Sequence, residues 1–287
     1  MRHLTTIMGR VLLAGALLAP AACVSPVALT SRAAAPTAPA PAPAGAPAPD
    51  FVLALTDETQ AAPAALPAGV RSITTQNTGQ ELHAVIFKRL NEGVTLEQFT
   101  AAFKENPFFS LRLTTQLGGP DLAPGTSIAG YYQFQPGAHV LTDNATQPPR
   151  FAAFSVEAST MADAQPPTAA VTVAMKDDEL VMPAAIKAGA QWWQFTNAGQ
   201  KMHMLGIVKL AAGKTVDDII AWNETGDGPE PFVWVAFWNL MSPGVTSWGE
   251  LDVPAGAYWA LDFQTESTAE GMAPPALGMT KAITVTE

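Results

Sequence analysis

The feature that most constrains the fold of this chain is an internal duplication. Residues 66–100 align without a gap on residues 186–220, an offset of 120, with nine identities. The similarity resumes at an offset of 119, where Pro124-Gly125 matches Pro243-Gly244, so one loop differs in length by a residue. Self-similarity at a fixed period marks tandem copies of one structural unit. The chain therefore contains two copies of one domain.

Each copy has the pattern of short strands with one helix. Two runs rich in β-branched and large apolar residues flank an Asn-x-Gly turn in each copy, which is typical of β-strands. Thr95 and Thr215 each precede an amide or acidic residue by three positions, which predicts the start of a short helix. We predict an all-β fold: two tandem antiparallel β-sandwiches with Greek-key connections, each with one short helix. The copies span residues 51–158 and 169–287.

The first residues have the order of a secretory signal. A basic stretch, an apolar run and small residues before Cys23 predict a signal peptide over residues 1–22. Cys23 is the only cysteine, and it stands where a lipoprotein signal is cut and its thiol acylated. The alternative is an ordinary signal cleaved nearby. Pro20 favours that alternative, because lipoprotein signals usually carry Leu at this position.

Composition indicates the compartment and excludes one class of partner. Residues 23–50 are rich in Ala and Pro, which predicts either an extended spacer or a disordered tail rather than a folded core. We expect an exported protein anchored to a membrane by lipid on Cys23, in the periplasm or at the cell surface. The formal net charge of −10 argues against nucleic acid as a partner, because phosphates would be repelled.

The sequence contains no motif typical of an enzyme. It has no Gly-rich phosphate loop, no pair of histidines at metal-protease spacing, and no nucleophile beside a plausible base. We therefore expect no catalytic residues.

The motifs of the second copy resemble those of the cupredoxins, which are exported plastocyanin- and azurin-like domains. The matching segments are Asn197-Ala198-Gly199, His203, Gly213-Lys214-Thr215, Pro254-Ala255-Gly256-Ala257-Tyr258 and Leu277-Gly278-Met279. The resemblance covers most of the second copy and, through the repeat, most of the first. It implies that both sandwiches are cupredoxin-like.

The resemblance also implies where copper would be held. A blue-copper domain uses two His, one Cys and a weak axial Met. The first His falls on His203 and the axial Met on Met279. The Cys position falls on or beside Asp262, and the second His position falls on Pro275. Two of the four ligands, including the thiolate, are therefore replaced, so we expect a degenerate site and no cofactor.

The first copy departs further from the copper pattern. His83 remains, Asp143 occupies the Cys position, and the closing segment has neither His nor Met. One hypothesis is that His83 and His203 are relic ligands that now pack in the core, each satisfied by a hydrogen bond, with Asp143 and Asp262 as candidate partners. The alternative is a copper site without a thiolate around His203 and Met279.

All seven tryptophans lie in the second copy: Trp192, Trp193, Trp222, Trp234, Trp238, Trp248 and Trp259. Adjacent residues of a strand point to opposite faces. Trp192 or Trp193 must therefore leave the core of its own sandwich and contact the first copy, the helix or a partner.

These observations favour a non-enzymatic, envelope-anchored binding or assembly protein whose partner is an envelope protein or a small ligand. The alternative is a copper-handling protein that binds without a thiolate. A third possibility is an accessory subunit of a redox enzyme, in which the fold serves as a docking domain.

Overall fold

The computed structural model describes residues 50–105, 107–146, 149–225, 228–268, 271–272 and 276–287. Strands dominate both copies, which confirms the predicted all-β class with tandem sandwiches. The signal peptide, Cys23 and the Ala/Pro-rich segment up to residue 49 lie outside the described residues, as does Pro275. Within the described part of the chain, no helix is both long and apolar enough to span a membrane.

The described part of the first copy has nine strands, with two short helices between the fourth and the fifth. The strands are β1 (Phe51–Leu55), β2 (Ala65–Pro67), β3 (Gly69–Asn77), β4 (His83–Leu90), β5 (Thr114–Gly118), β6 (Asp121–Leu122), β7 (Ser127–Phe134), β8 (Gly137–Asp143) and β9 (Arg150–Glu157). The helices are α1 (Leu96–Glu105) and α2 (Pro107–Ser110), which a 3-10 turn follows (Leu111–Leu113).

The second copy repeats this order with one helix. Its strands are β10 (Val171–Met175), β11 (Leu180–Val181), β12 (Ala185–Lys187), β13 (Gly189–Asn197), β14 (Met202–Leu210), β15 (Phe232–Met241), β16 (Thr246–Val253), β17 (Gly256–Thr265), β18 (Ser267–Thr268), β19 (Gly271–Met272) and β20 (Ala276–Thr286). The helix is α3 (Val216–Thr225).

The chain passes repeatedly between the two layers of each sandwich. In the first copy, β1, β3 and β7 lie in one sheet, whereas β2, β9, β8, β4 and β5 lie in the other. The second copy has the same arrangement in β10, β13 and β16 and in β12, β20, β17, β14 and β15. These crossings are the connections of a Greek-key sandwich, consistent with the cupredoxin-like fold that the sequence motifs imply.

The two sheets run without a break through both copies. One has the order β1-β3-β7-β16-β13-β10-β11, and the other β12-β20-β17-β14-β15-β5-β4-β8-β9-β2. We call the antiparallel pairs β7–β16 and β5–β15 the seam. In the seam, Gly130 pairs with Gly249, its own equivalent at the offset of 119. The copies are therefore related by a pseudo-twofold axis that passes through the seam.

Aromatic rings fill the seam. Trp238 is 1% exposed and lies parallel to the ring of Tyr132 from the first copy and to that of Phe195 from the second. Its Nε1 donates a hydrogen bond to Ser247 Oγ at 2.9 Å. A Cβ at Gly249 would overlap the Trp238 ring, so this position requires glycine. One apolar core, with residues from both copies, runs across the seam.

The adjacent tryptophans of β13 point to opposite faces, as strand alternation predicts. Trp193 is fully buried in the common core. Trp192 packs edge-on against Tyr131 of the first copy, with ring centroids 5.3 Å apart.

Both predicted helix starts carry reciprocal caps. Gln98 N–H donates to Thr95 Oγ1, and Thr95 N–H donates to the Gln98 side chain. Thr215 and Asp218 make the equivalent pair in the second copy. These bonds satisfy backbone donors that a helix start leaves unpaired.

Candidate functional site

The candidate site of the second copy is a buried histidine–aspartate pair. His203 lies in β14 and Asp262 lies on the neighbouring strand β17, opposite Leu205. His203 Nδ1 is 2.9 Å from Asp262 Oδ2 and 3.1 Å from Oδ1. Both side chains are fully buried. A buried charge needs such a partner, since an unpaired one pays the full cost of leaving water.

A third residue, Asp177, occupies the other nitrogen of the imidazole. Asp177 Oδ1 is 3.1 Å from His203 Nε2. The same carboxylate accepts backbone N–H groups from Gln200 at 2.9 Å and Lys201 at 3.0 Å, in the turn that leads into β14. His203 is therefore held between two carboxylates, one buried and one partly exposed.

The first copy has the same three residue types with one longer contact. His83 Nδ1 is 2.5 Å from Asp143 Oδ2, and both side chains are fully buried. The third carboxylate, Asp57, lies 3.8 Å from His83 Nε2, too far for a hydrogen bond. Among the described residues, His83 Nε2 has no hydrogen-bond partner. Asp143 also accepts the backbone N–H of Ala84 at 3.0 Å.

The Asn-x-Gly turn places the third carboxylate. Asn197 Nδ2 donates to the backbone oxygens of Lys201 and Met241, at 2.8 and 2.9 Å, and its Oδ1 accepts Gly199 N–H. A Cβ at Gly199 would overlap the Asp177 carboxylate. Glycine is thus required for the turn to close over the histidine, and Asn77 makes the same bonds in the first copy.

The surrounding charges favour a protonated His203. Burial lowers the pKa of His203, but its hydrogen bonds and charge interactions with Asp262 and Asp177 outweigh this, so the pKa is raised above its usual value. Hydrogen bonds from the Lys201 and Gln200 backbone, together with His203, lower the pKa of Asp177. Burial raises the pKa of Asp262, and the bond from His203 opposes this shift. The two flanking carboxyl groups thus favour the protonated form of His203.

The other predicted copper position does not join this group as a hydrogen-bond partner. Met279 lies across from Asp262 in the β17–β20 register and packs, half-buried, against the common core. In the ranges that the structure describes, no three His, Cys, Asp or Glu side chains are placed to hold a metal ion. Both nitrogens of His203 are hydrogen-bonded, and the only cysteine of the chain, Cys23, lies outside the described residues. These residues do not fit a blue-copper centre.

The sequence prediction included the histidines and their first aspartates but missed Asp57 and Asp177. A signal was present, because these two aspartates are also separated by 120 residues. The alignment of the copies extends to them if it is continued upstream of residue 66.

Comparisons with known proteins identify no relative by sequence: no protein family and no curated protein matches the chain. Among solved structures, auracyanin from Roseiflexus castenholzii is 15% identical with a TM-score of 0.27, covering 40% of this chain and 95% of its own. Blue copper oxidase from Nitrosomonas europaea is 11% identical with a TM-score of 0.23, covering 82% and 76%.

The Cu-containing nitrite reductase from Thermus scotoductus is 14% identical with a TM-score of 0.22, over 77% of this chain. This chain spans 54% of that reductase. Scores this low assign no function, so the description of the fold rests on the strands of this chain and their pairing.

Proposed function

We propose that this chain is a non-enzymatic binding or assembly protein of the cell envelope, in which the histidines at the copper positions stabilise the fold. The observation that carries the proposal is the placement of His203 between Asp262 and Asp177. An imidazole whose two nitrogens both donate protons has no lone pair for a metal ion. The same residue types recur around His83 in the first copy.

The histidine–aspartate pairs connect elements that are distant in sequence. His203 and Asp262 join two neighbouring strands, and Asp177 ties the turn before β14 to the loop after β10. Removing one partner of a buried ion pair leaves an uncompensated charge and costs about 3–5 kcal/mol. The pairs therefore support a structural role.

Calorimetric titration of the full chain carrying Cys23→Ser with Cu(I), and separately with Cu(II), tests the proposal. We expect no tight one-to-one binding. We expect His203→Ala to lower the free energy of unfolding by about 3–5 kcal/mol, with His203→Gln as a milder variant that keeps one hydrogen bond. Tight one-to-one copper binding that is lost in His203→Gln, while His83→Gln retains it, would overturn the proposal and favour copper handling.

We further propose that the protein is exported and attached to a membrane through lipid on Cys23. The support is the order of the first 23 residues and the Ala/Pro-rich segment after them. Mass spectrometry of the mature N-terminus checks this: a diacylglyceryl mass on Cys23 is expected, and an unmodified terminus beginning after residue 23 contradicts it.

A further inference from the structure

A cavity of about 360 Å³ opens at the seam, outside the histidine–aspartate groups. Strands of the first copy form one wall, and the turn between β15 and β16 of the second copy forms the other. The residues that line it are Arg89, Thr115, Leu117, Gln133, Gln135, His139, Pro243, Gly244, Val245, Thr246 and Trp248. Its size is in the range of small-molecule sites.

The charge of this cavity differs from that of the whole protein. Arg89 is the one charged residue among those that line it, and none of them is acidic. The chain as a whole carries a formal net charge of −10. A cavity whose one charged group is a guanidinium favours an anion over a cation.

Two of the residues that line the cavity each carry a buried polar atom with no partner within the described part of the chain: Arg89 Nε and His139 Nε2. Buried polar groups normally find a partner, so two such atoms at one cavity call for a ligand. His139 is only 1% exposed. Arg89 and His139 are directly opposite each other on β4 and β8. Opposite residues have Cβ atoms about 5 Å apart, so both side chains can reach one small molecule.

The hydrogen-bonding state of His139 further restricts the class of ligand. Its Nδ1 lies 3.2 Å from the backbone oxygen of Gly137, to which it donates. Its ring packs against Phe134 and Phe154, with centroids 5.6 and 5.2 Å away. Burial lowers its pKa to about 4, and the Arg89 charge adds to this effect. The imidazole is therefore neutral near pH 7, and its free Nε2 is a hydrogen-bond acceptor.

We propose that this cavity binds a small hydroxycarboxylate, with the carboxylate on the Arg89 guanidinium and the hydroxyl donating to His139 Nε2. The carboxylate complements the charge, and guanidinium–carboxylate pairs are strong because they are charge-assisted. The short separation of the two residues favours a hydroxyl on the carbon next to the carboxylate. This inference rests on the proposed binding function and names a ligand class for it.

The second copy provides a matched control. The equivalents of Arg89 and His139 are Lys209 and Tyr258, at offsets of 120 and 119. Asp252 replaces Gln133, which puts a carboxylate at the equivalent rim. The pseudo-twofold position thus lacks both the guanidinium fork and the imidazole acceptor, so we place the site on the first copy alone.

Calorimetric titration of the full chain with malate and with succinate tests the inference, because these probes differ only by a hydroxyl. We expect malate to bind about tenfold more tightly than succinate, the value of one hydrogen bond. Arg89→Gln should abolish binding of both, whereas Lys209→Gln should leave both unchanged. His139→Phe should keep succinate binding and remove the preference for malate.

The fold of each variant is checked by its thermal midpoint, and His139→Gln, which keeps an acceptor, provides a second variant if His139→Phe is unstable. Equal affinities for malate and succinate, or binding that survives Arg89→Gln, would overturn the inference. So would the absence of measurable malate binding at about 10 mM, which is ten times the Kd of a ligand with millimolar affinity. If neither malate nor copper binds, this inference fails while the proposed function stands.

Discussion

The two copies share one backbone arrangement but surround their histidines differently. In the second copy, both nitrogens of His203 contact a carboxylate, whereas in the first copy only Nδ1 of His83 does. The buried pairs with Asp262 and Asp143 are common to both copies. The contact with a buried carboxylate is therefore common to both copies, whereas the hydrogen bond to a partly exposed carboxylate occurs only in the second.

The seam shows a second contrast. Trp238 of the second copy fills the space near the pseudo-twofold axis, and its equivalent at the offset of 119 is Gly119. The Asn239 backbone N–H donates to Gly119 O at 2.8 Å, so the two equivalent segments lie beside each other. A Cβ at Gly118, beside Gly119, would overlap the Trp238 indole, so the first copy needs glycine where the second has a large ring nearby. Asymmetry between the copies is therefore a requirement of the packing.

The largest effect is expected when Trp238 is replaced. Trp238→Ala removes a buried ring that contacts both copies, and large-to-small core changes of this kind cost about 3–5 kcal/mol. Trp192→Ala, at a half-buried position, is the control and is expected to cost about 1 kcal/mol. Chemical denaturation monitored by circular dichroism measures both. An equal loss of unfolding free energy in the two variants would show that the Trp238 ring does not stabilise the contact between the copies.

A smaller effect is expected beneath helix α1, where Lys88 takes the place that Val208 has in the second copy. Lys88 is 1% exposed, and its Nζ lies 5.4 Å from the ring centre of Phe99 and 5.9 Å from that of Phe103. Burial lowers the pKa of Lys88 to about 7. The unfolded chain therefore binds more protons than the folded one between pH 7 and about 10.5, so stability rises with pH in that window.

Lys88→Val is expected to raise the free energy of unfolding by on the order of 2 kcal/mol at pH 6, because it removes a buried charge. The gain should be smaller at pH 9, where the folded protein already holds Lys88 neutral. Urea denaturation at both pH values measures this change. The reciprocal Val208→Lys should destabilise the second copy. A gain that is larger at pH 9 than at pH 6 would contradict the assignment.

Much of the fold was predictable from the sequence because the same strand and helix pattern occurs in both copies. Aligned side-chain patterns predict the strands that follow the Asn-x-Gly turns and the capped helices. They also predict the equivalence of His83 with His203. The pairing of Asp143 and Asp262 with these histidines was one of the candidates. These features depend on side chains that are close in sequence or repeated at a fixed offset.

The seam was not predictable in the same way. The pairing of β7 with β16 uses backbone groups, and these carry no residue-specific signal. The buried position of Lys88 was also missed. Its neighbours on alternate positions of β4, Ile86 and Leu90, are apolar. A lysine in such a strand is nevertheless expected to reach solvent, because the sequence does not show that helix α1 covers it.

The measurement that tests the central claim most directly is the protonation of the His203 ring, observed by nitrogen-15 NMR at pH 6, with His203→Gln used to assign the signals. Because the pKa of His203 is raised and each ring nitrogen faces a carboxylate, we expect both nitrogens to carry protons. A ring nitrogen that is unprotonated at pH 6 would leave a lone pair free for a metal ion. That result would contradict a purely structural role for this histidine.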